Sequence, residues 1–452
     1  MQTDLAIIRV KGGSLRDDPS QRGRSLRSDG WAKKGDVYSY HWCCCCCCCF
    51  SCFYFQIDLS QRGLQASDAK LVKMALSQNW NLTVLKLGYN NLGDLGVTTL
   101  AAGIARHKSL CLLDLGFNNF GDEGAKALAM AMRQAAQAFH GGTLQTLYLA
   151  GNLIGEDGAL AVADFIRQGS RLRKLYMTGN RIGADGVRAI TEAILEDEMR
   201  RKGEPQPEDD DAADLDMDNG EGKSSISKAT FEGMQELFFG GTGMSSLGCQ
   251  AVSGLLERTC CLRVISLPNC DMGDDEIMML ASSIRANKKR LPVESIQLSF
   301  NNFTHKGLEA LTNAVWGSTT LKELKLDNNN IGDRGAHQVA AILPALKALE
   351  ILDVGFNSIK AAGLNILMKA VADTDQIQSL SVSGNAIDVP SAKAVAYALA
   401  YNQSLRSIYL VHCSINHEGK RHITAGAVSN SMTSLRNLTG FEIGRKYFGD
   451  CL

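Results

Sequence analysis

The 452-residue chain is 45% apolar and 21% charged, with mean hydropathy -0.08 and a formal net charge of -1 from 47 basic and 48 acidic side chains. That balance removes any bulk electrostatic case for nucleic acid or an anionic membrane as partner. Seven of the fifteen cysteines form one run, Cys43 to Cys49, and the other eight make no C-x-x-C pair among themselves. Neither a zinc site nor a disulfide framework is indicated by that spacing.

Residues 1–53 read as a poorly structured leader, rich in Arg, Ser, Asp and Gly and without sustained periodicity. Within it, Trp42–Phe55 (WCCCCCCCFSCFYF) is too short to span a bilayer, which takes about 20 residues. The favoured reading of the run is a translated nucleotide repeat or a misplaced gene start. Palmitoylation of Cys43–Cys49 is the alternative, and it would tether the chain to a membrane. The N-terminus lacks a long apolar stretch before a small-residue cleavage site, so a reducing cytoplasm or nucleus is expected.

From residue 54 the chain repeats itself. A degenerate first unit (Ile57, Leu59, Leu64, Leu71 to Leu76) precedes eleven copies of L-x-x-L-x-L-x-x-N-x-[LIF]. They open at Leu82, Leu110, Leu144, Leu172, Met234, Leu262, Val293, Leu321, Leu349, Ile377 and Leu405. A 28-residue step separates Leu82 from Leu110, Leu144 from Leu172, and Leu321 from Leu349, Ile377 and Leu405 in turn. Each copy begins as a short strand, such as Leu85-Lys86-Leu87, whose leucines face inward while the residue between them faces out. Each continues as a helix rich in Ala and Leu at helical spacing, as in 96–107 and 124–134. Gly-x-x-Gly pairs such as Gly93/Gly96 and Gly332/Gly335 supply the turn between strand and helix.

The ninth position is Asn90, Asn118, Asn152, Asn180, Asn301, Asn329, Asn357 and Asn385, with Thr242, Cys270 and Cys413 as substitutes. A buried amide there can bond the backbone leaving the strand, and stacked amides form a structural ladder. Extra residues near Ala135–His140 extend one unit, and three more lie near Lys288–Pro292. The one long interruption, 197–228, is acidic and poor in bulky side chains, so it is expected to be disordered. A last fragment, Leu435 to Leu438, is expected to cap the solenoid together with Phe441 to Phe448, so that 441–452 is a C-terminal cap or tail.

The search for an active site is negative. Gly222-Lys223-Ser224 lacks the earlier glycine of a phosphate loop and no strand precedes it, and apart from His412, His417 and His422 the histidines are scattered along the chain. His412, Cys413 and His417 match no standard zinc spacing, so neither metal nor cofactor is expected. What varies is the outward strand position: Lys86, Asp114, Tyr148, Tyr176, Phe238, Ser266, Gln297, Lys325, Asp353, Ser381 and Tyr409. With strand neighbours about 4.8 Å apart, Tyr148, Tyr176 and Phe238 form one aromatic patch, and Lys174 with Glu236 supplies a polar rim. Exposed aromatics of this kind favour a protein partner.

The segments LTVLKLGYNNLGDLGVTTLAAGI and LKELKLDNNNIGDRGAHQVAAIL resemble leucine-rich repeats of the ribonuclease-inhibitor class, over roughly residues 55–440. The resemblance implies an α/β leucine-rich-repeat solenoid, a horseshoe with inner parallel β-strands and outer α-helices. It also implies a non-enzymatic scaffold that binds a partner protein on its concave face. Two alternatives come with it. One is a GTPase-activating protein for a Ran-like GTPase, whose catalytic arginine segment matches no position here, with Arg62 the candidate to test. The other is a fragment of a NOD-like-receptor-type sensor, although the nucleotide-binding module of those receptors is absent.

Overall fold

The computed structural model describes residues 55–139, 142–202 and 233–429. The Cys43–Cys49 run, Gly222-Lys223-Ser224, Leu435–Leu438 and the tail 441–452 lie outside the described residues. Unit n denotes strand βn with the helix αn that follows it. The first six are β1 Gln56–Asp58 and α1 Ala69–Gln78; β2 Val84–Lys86 and α2 Gly93–Ile104; β3 Leu112–Asp114 and α3 Asp122–Ala138; β4 Thr146–Tyr148 and α4 Glu156–Arg167; β5 Lys174–Tyr176 and α5 Gly183–Lys202; β6 Glu236–Phe238 and α6 Ser245–Arg258. The next six are β7 Val264–Ser266 and α7 Asp274–Ala286; β8 Ser295–Gln297 and α8 His305–Val315; β9 Glu323–Lys325 and α9 Gly332–Ile342; β10 Ile351–Asp353 and α10 Ala361–Ala372; β11 Ser379–Ser381 and α11 Val389–Tyr401; β12 Ser407–Tyr409 and α12 His417–Ser429.

The twelve strands form a single parallel sheet in sequence order. Parallel neighbours need a long return, and here a helix after each strand supplies it. Alternation fixes the sides. The central residue of each strand (Leu85, Leu113, Leu147, Leu175, Leu237) is buried, and its two neighbours are turned to the opposite face. Helices close the core with one apolar stripe; in α4 it runs through Ala159, Val162, Ala163 and Ile166 at helical spacing. Strands stack at about 4.8 Å but helices need 8–10 Å, so the strand side is the inner side of the curve.

The ladder position is built as a chain of amide bonds between units. Asn180 Nδ2 donates to its own Met177 carbonyl and to Leu149 of the unit before, both at 2.9 Å. Its Oδ1 accepts from the Ile154 N–H at 3.2 Å. Asn301 repeats the pattern with Leu267 and Leu298, and its Oδ1 accepts from the Cys270 and Met272 N–H groups. Asn90, Asn118, Asn152, Asn329, Asn357 and Asn385 each donate to backbone carbonyls of two units. Where the rung is cysteine, a weaker thiol bond reaches the same carbonyl of the previous unit: Cys270 to Phe239 and Cys413 to Val382, both at 3.6 Å.

One boundary is corrected. The acidic interruption was expected to begin at 197, yet α5 runs on to Lys202, and Asp197 and Glu198 are buried. The run E-D-E-M-R-R-K places acids three and four residues before arginines, which favours helix. Asp197 accordingly pairs with both Arg200 and Arg201. Acidic composition misled because Asp197 is neutralised from within the same helical turn and Glu198 accepts from the Thr259 hydroxyl.

Candidate functional site

The inner face is written by the first and third residues of each three-residue strand. Register pairs Tyr148 with Tyr176 and Tyr176 with Phe238, and on the neighbouring row Lys174 with Glu236. The three aromatic rings stack. Centroids lie 4.0 Å apart for Tyr148–Tyr176 and 4.2 Å for Tyr176–Phe238, with the planes 19° and 14° from parallel. The rings are closer than the backbones that carry them, as side chains on the inner side of a curved sheet must be. Each is half-buried, because each covers a face of its neighbour.

Lys174 and Glu236 do more than fringe this stack. Lys174 Nζ lies 2.6 Å from Glu236 Oε1, and Glu236 Oε2 accepts from the Tyr176 hydroxyl at 2.7 Å. The carboxylate thereby ties the middle ring to the lysine one strand back. Burial, then the Tyr148 hydroxyl and the Glu236 carboxylate, push the Tyr176 phenol well above its ordinary ionisation range. The middle ring is therefore held neutral, and one ion pair stands at the edge of the stack.

A second aromatic row was not anticipated. The residue just before each rung adopts left-handed backbone geometry in every full unit, with φ of 57° at Tyr89, 55° at Phe117, 57° at Phe300 and 52° at Phe356. Its N–H continues the ladder to the next unit, as Tyr89 does to Gly116 and Phe117 to Ala150, both at 2.8 Å. Bulky residues seldom hold this conformation without over-determined surroundings. Tyr89 and Phe117 stack at 4.4 Å with planes 7° apart, and both are more exposed than the strand-borne rings. Phe117 in turn lies over Gly151, where an added Cβ would come within 2.3 Å of the ring. The Tyr89–Phe117 stack therefore ends on the loop that leaves β4, the strand that carries Tyr148. Residue type alone gave no signal for it, since Tyr, Phe, Gly, Asn and His all occupy the position.

A third row also went unread. Aspartates in the first turn of one helix accept backbone N–H bonds from the start of the next. Asp94 accepts from Gly121 and Gly124, Asp122 from Gly155 and Gly158, and Asp333 from Lys360 and Gly363. They satisfy the orphan donors of a helix N-terminus from outside that helix. Arg62, the candidate for a catalytic arginine, is exposed; its backbone N–H donates to Asn90 Oδ1 at 3.0 Å.

A family model described as a leucine-rich repeat matches residues 78–101, 108–129, 171–190 and 317–338. The chain is a leucine-rich-repeat solenoid. Among curated proteins this solenoid is similar to the ribonuclease inhibitor of Mus musculus, with 28% identity over 211 residues, 46% of this chain and 45% of that protein. It is also similar to NACHT, LRR and PYD domains-containing protein 4E of Mus musculus, with 26% identity over 186 residues, 41% of this chain and 18% of that one. The matched stretches span less than half the length of these relatives. A solved chain from the yeast Rad7 and Elc1 complex aligns over 79% of this chain and 82% of its own length, at 13% identity and TM-score 0.48. Among the described residues no helix is long and apolar enough to cross a membrane.

Proposed function

We propose that this protein is a non-enzymatic scaffold that binds a partner protein on its strand face, centred on Tyr148, Tyr176 and Phe238 with Lys174 and Glu236 beside them. The observation that carries this reading is the three-ring stack, half-exposed and lying in register across units 4 to 6. Rigid aromatic side chains lose little conformational entropy when covered and dominate interface energetics. The stack offers them already ordered by one another. The ribonuclease inhibitor, a similar protein, is named for an action on another protein, which agrees with a docking role. Helices of ten residues or more in every unit, together with that similarity, support assigning the repeats to the ribonuclease-inhibitor class. An experimental structure without those helices would remove that assignment.

The test is affinity capture from lysate with crosslinking mass spectrometry. Wild type, a Tyr148→Ala/Tyr176→Ala/Phe238→Ala variant and a helix-side control, Lys369→Ala, are compared. A partner crosslinked near β4–β6, kept by the control and lost by the triple variant, is the expected result. Retention by the triple variant would sink the proposal. In the same preparations no acceleration of GTP hydrolysis is expected from a panel of small GTPases. Acceleration lost on Arg62→Ala would favour the GTPase-activating reading instead. All six cysteines among the described residues are free, in keeping with a cytoplasmic or nuclear protein. Imaging of a tagged chain at the cell exterior would contradict that location.

A further inference from the structure

Glu198 stands in the last turns of α5 and is 2% exposed. Its Oε1 accepts from the Thr259 hydroxyl at 2.7 Å, and the Cys260 backbone N–H lies close by. Its Oε2 is buried and accepts no hydrogen bond among the described residues. A buried carboxylate oxygen without a partner is costly and calls for an explanation. Directly after Thr259 come Cys260 and Cys261, with their sulfurs 3.9 Å apart. The two sulfurs and a Glu198 oxygen all lie within 4.8 Å of one another.

The geometry points to a metal site for a thiophilic divalent cation, Zn²⁺, held by Cys260 Sγ, Cys261 Sγ and Glu198 Oε2, with a fourth position for water. Two sulfurs bound at about 2.3 Å to a tetrahedral zinc lie about 3.8 Å apart, close to the separation found here. Two thiolates also select against calcium and magnesium, which take oxygen ligands. Gly233, where the described chain resumes, keeps the space clear. A Cβ there would fall 3.0 Å from Cys261 Sγ and 3.2 Å from Glu198 Cγ.

Burial, then the Glu198 carboxylate, push the Cys261 thiol up to about 12, and burial raises the Glu198 carboxyl as well. The metal-free Cys261 thiol therefore keeps its proton. On binding, each S–H bond breaks heterolytically, the sulfur keeps the electron pair and bonds the cation, and the protons pass to solvent. Two thiolates and one carboxylate leave a single negative charge around Zn²⁺, and Lys202 acts on Glu198 with the opposite charge. Bound metal would fasten the end of α5 to the turn after α6, at the base of the 203–232 insertion. The cysteine spacing argued against zinc because the third ligand is 62 residues away in sequence and is delivered by the repeat register.

The test is site-resolved alkylation of the reduced full-length chain, read by peptide mass spectrometry. Cys111, half-buried and remote in sequence, is the internal reference. Saturating Zn²⁺ is expected to slow labelling of Cys260 by roughly tenfold or more, to leave Cys111 unchanged, and to be reversed by a chelator. Glu198→Gln keeps both thiols and is expected to need roughly tenfold more Zn²⁺ for the same protection. Equal Cys260 labelling with and without Zn²⁺ overturns the site. An unchanged Zn²⁺ requirement in Glu198→Gln overturns its carboxylate ligand. Folding of Glu198→Gln and of Cys260→Ser is read by circular dichroism. Should Glu198→Gln not fold, Co²⁺ loading of the native chain against Cys260→Ser decides: the expected loss is one thiolate's charge-transfer absorption, and an unchanged spectrum overturns the proposal.

Discussion

Units 4 to 6 and units 7 to 9 share one backbone and present opposite surfaces. In the first group three rings stack and leave their outer edges uncovered. In the second, the same rows carry Ser266, Ser295, Gln297, Glu323 and Lys325, and these bond to one another. Ser266 Oγ donates to Gln297 at 2.9 Å, Gln297 Nε2 and Ser295 Oγ donate to Glu323, and Lys325 Nζ lies 2.7 Å from Glu323. The polar half has spent its bonding capacity internally, whereas the aromatic half keeps apolar area that only a partner can remove from water. Binding potential along this face is therefore set by the side chains and not by the scaffold beneath them.

The largest expected effect tests the common scaffold. Asn180→Ala under the aromatic half and Asn301→Ala under the polar half remove equivalent rungs. Each should cost roughly 2–4 kcal/mol, because buried carbonyls and N–H groups lose their partner. Urea denaturation followed by circular dichroism measures both; a loss confined to one would show that the two halves differ below the surface. A smaller effect separates the surfaces. Tyr176→Ala removes two stacked pairs and should cost roughly 1–3 kcal/mol. Gln297→Ala, in a partly exposed polar network, should cost less than about 1 kcal/mol. Equal costs would break the contrast.

The smallest effect is in pH dependence, and the two halves differ in sign. The folded chain raises the Tyr176 phenol, so the stability linked to it is complete below the unfolded value of about 10 and falls as pH climbs beyond it. For Glu323, burial opposes ionisation, but the bonds from Lys325, Ser295 and Gln297 outweigh it and hold the carboxyl below its ordinary range. The stability linked to Glu323 is present above the usual carboxylate range and falls as pH drops through its folded value. Tyr176→Phe should flatten the alkaline fall between about pH 9 and about pH 11 and leave the acid limb alone. Glu323→Gln should do the reverse. Stability–pH curves of the two variants that superimpose would remove the distinction.

Strand order, rung positions and the row Tyr148–Tyr176–Phe238 were legible in the sequence because a constant period turns spacing along the chain into adjacency in space. A residue one unit away is a neighbour whatever its type. The Tyr176–Glu236 bond was not legible, since it depends on which way two side chains turn on adjacent strands. Nor was the left-handed row, where backbone geometry is imposed by the rung beside it and tolerates Tyr89 and Phe117 as well as Gly151. Asp197 and Glu198 were misassigned because charge was counted without the arginines and hydroxyl that answer it. The aspartate row from Asp94 to Asp333 hid among ordinary first-turn acids, because its recipients sit in the following unit.

Pairing of β5 with β6 steps across 62 residues of chain without shifting register. The cost of closing such a detour grows only with the logarithm of its length. The segment 203–232 is therefore a splice point: a foreign domain whose ends lie close together could be grafted there as cargo. The rings on either side would keep their spacing. A graft that changed the near-ultraviolet circular dichroism of Tyr148 and Tyr176 would contradict this.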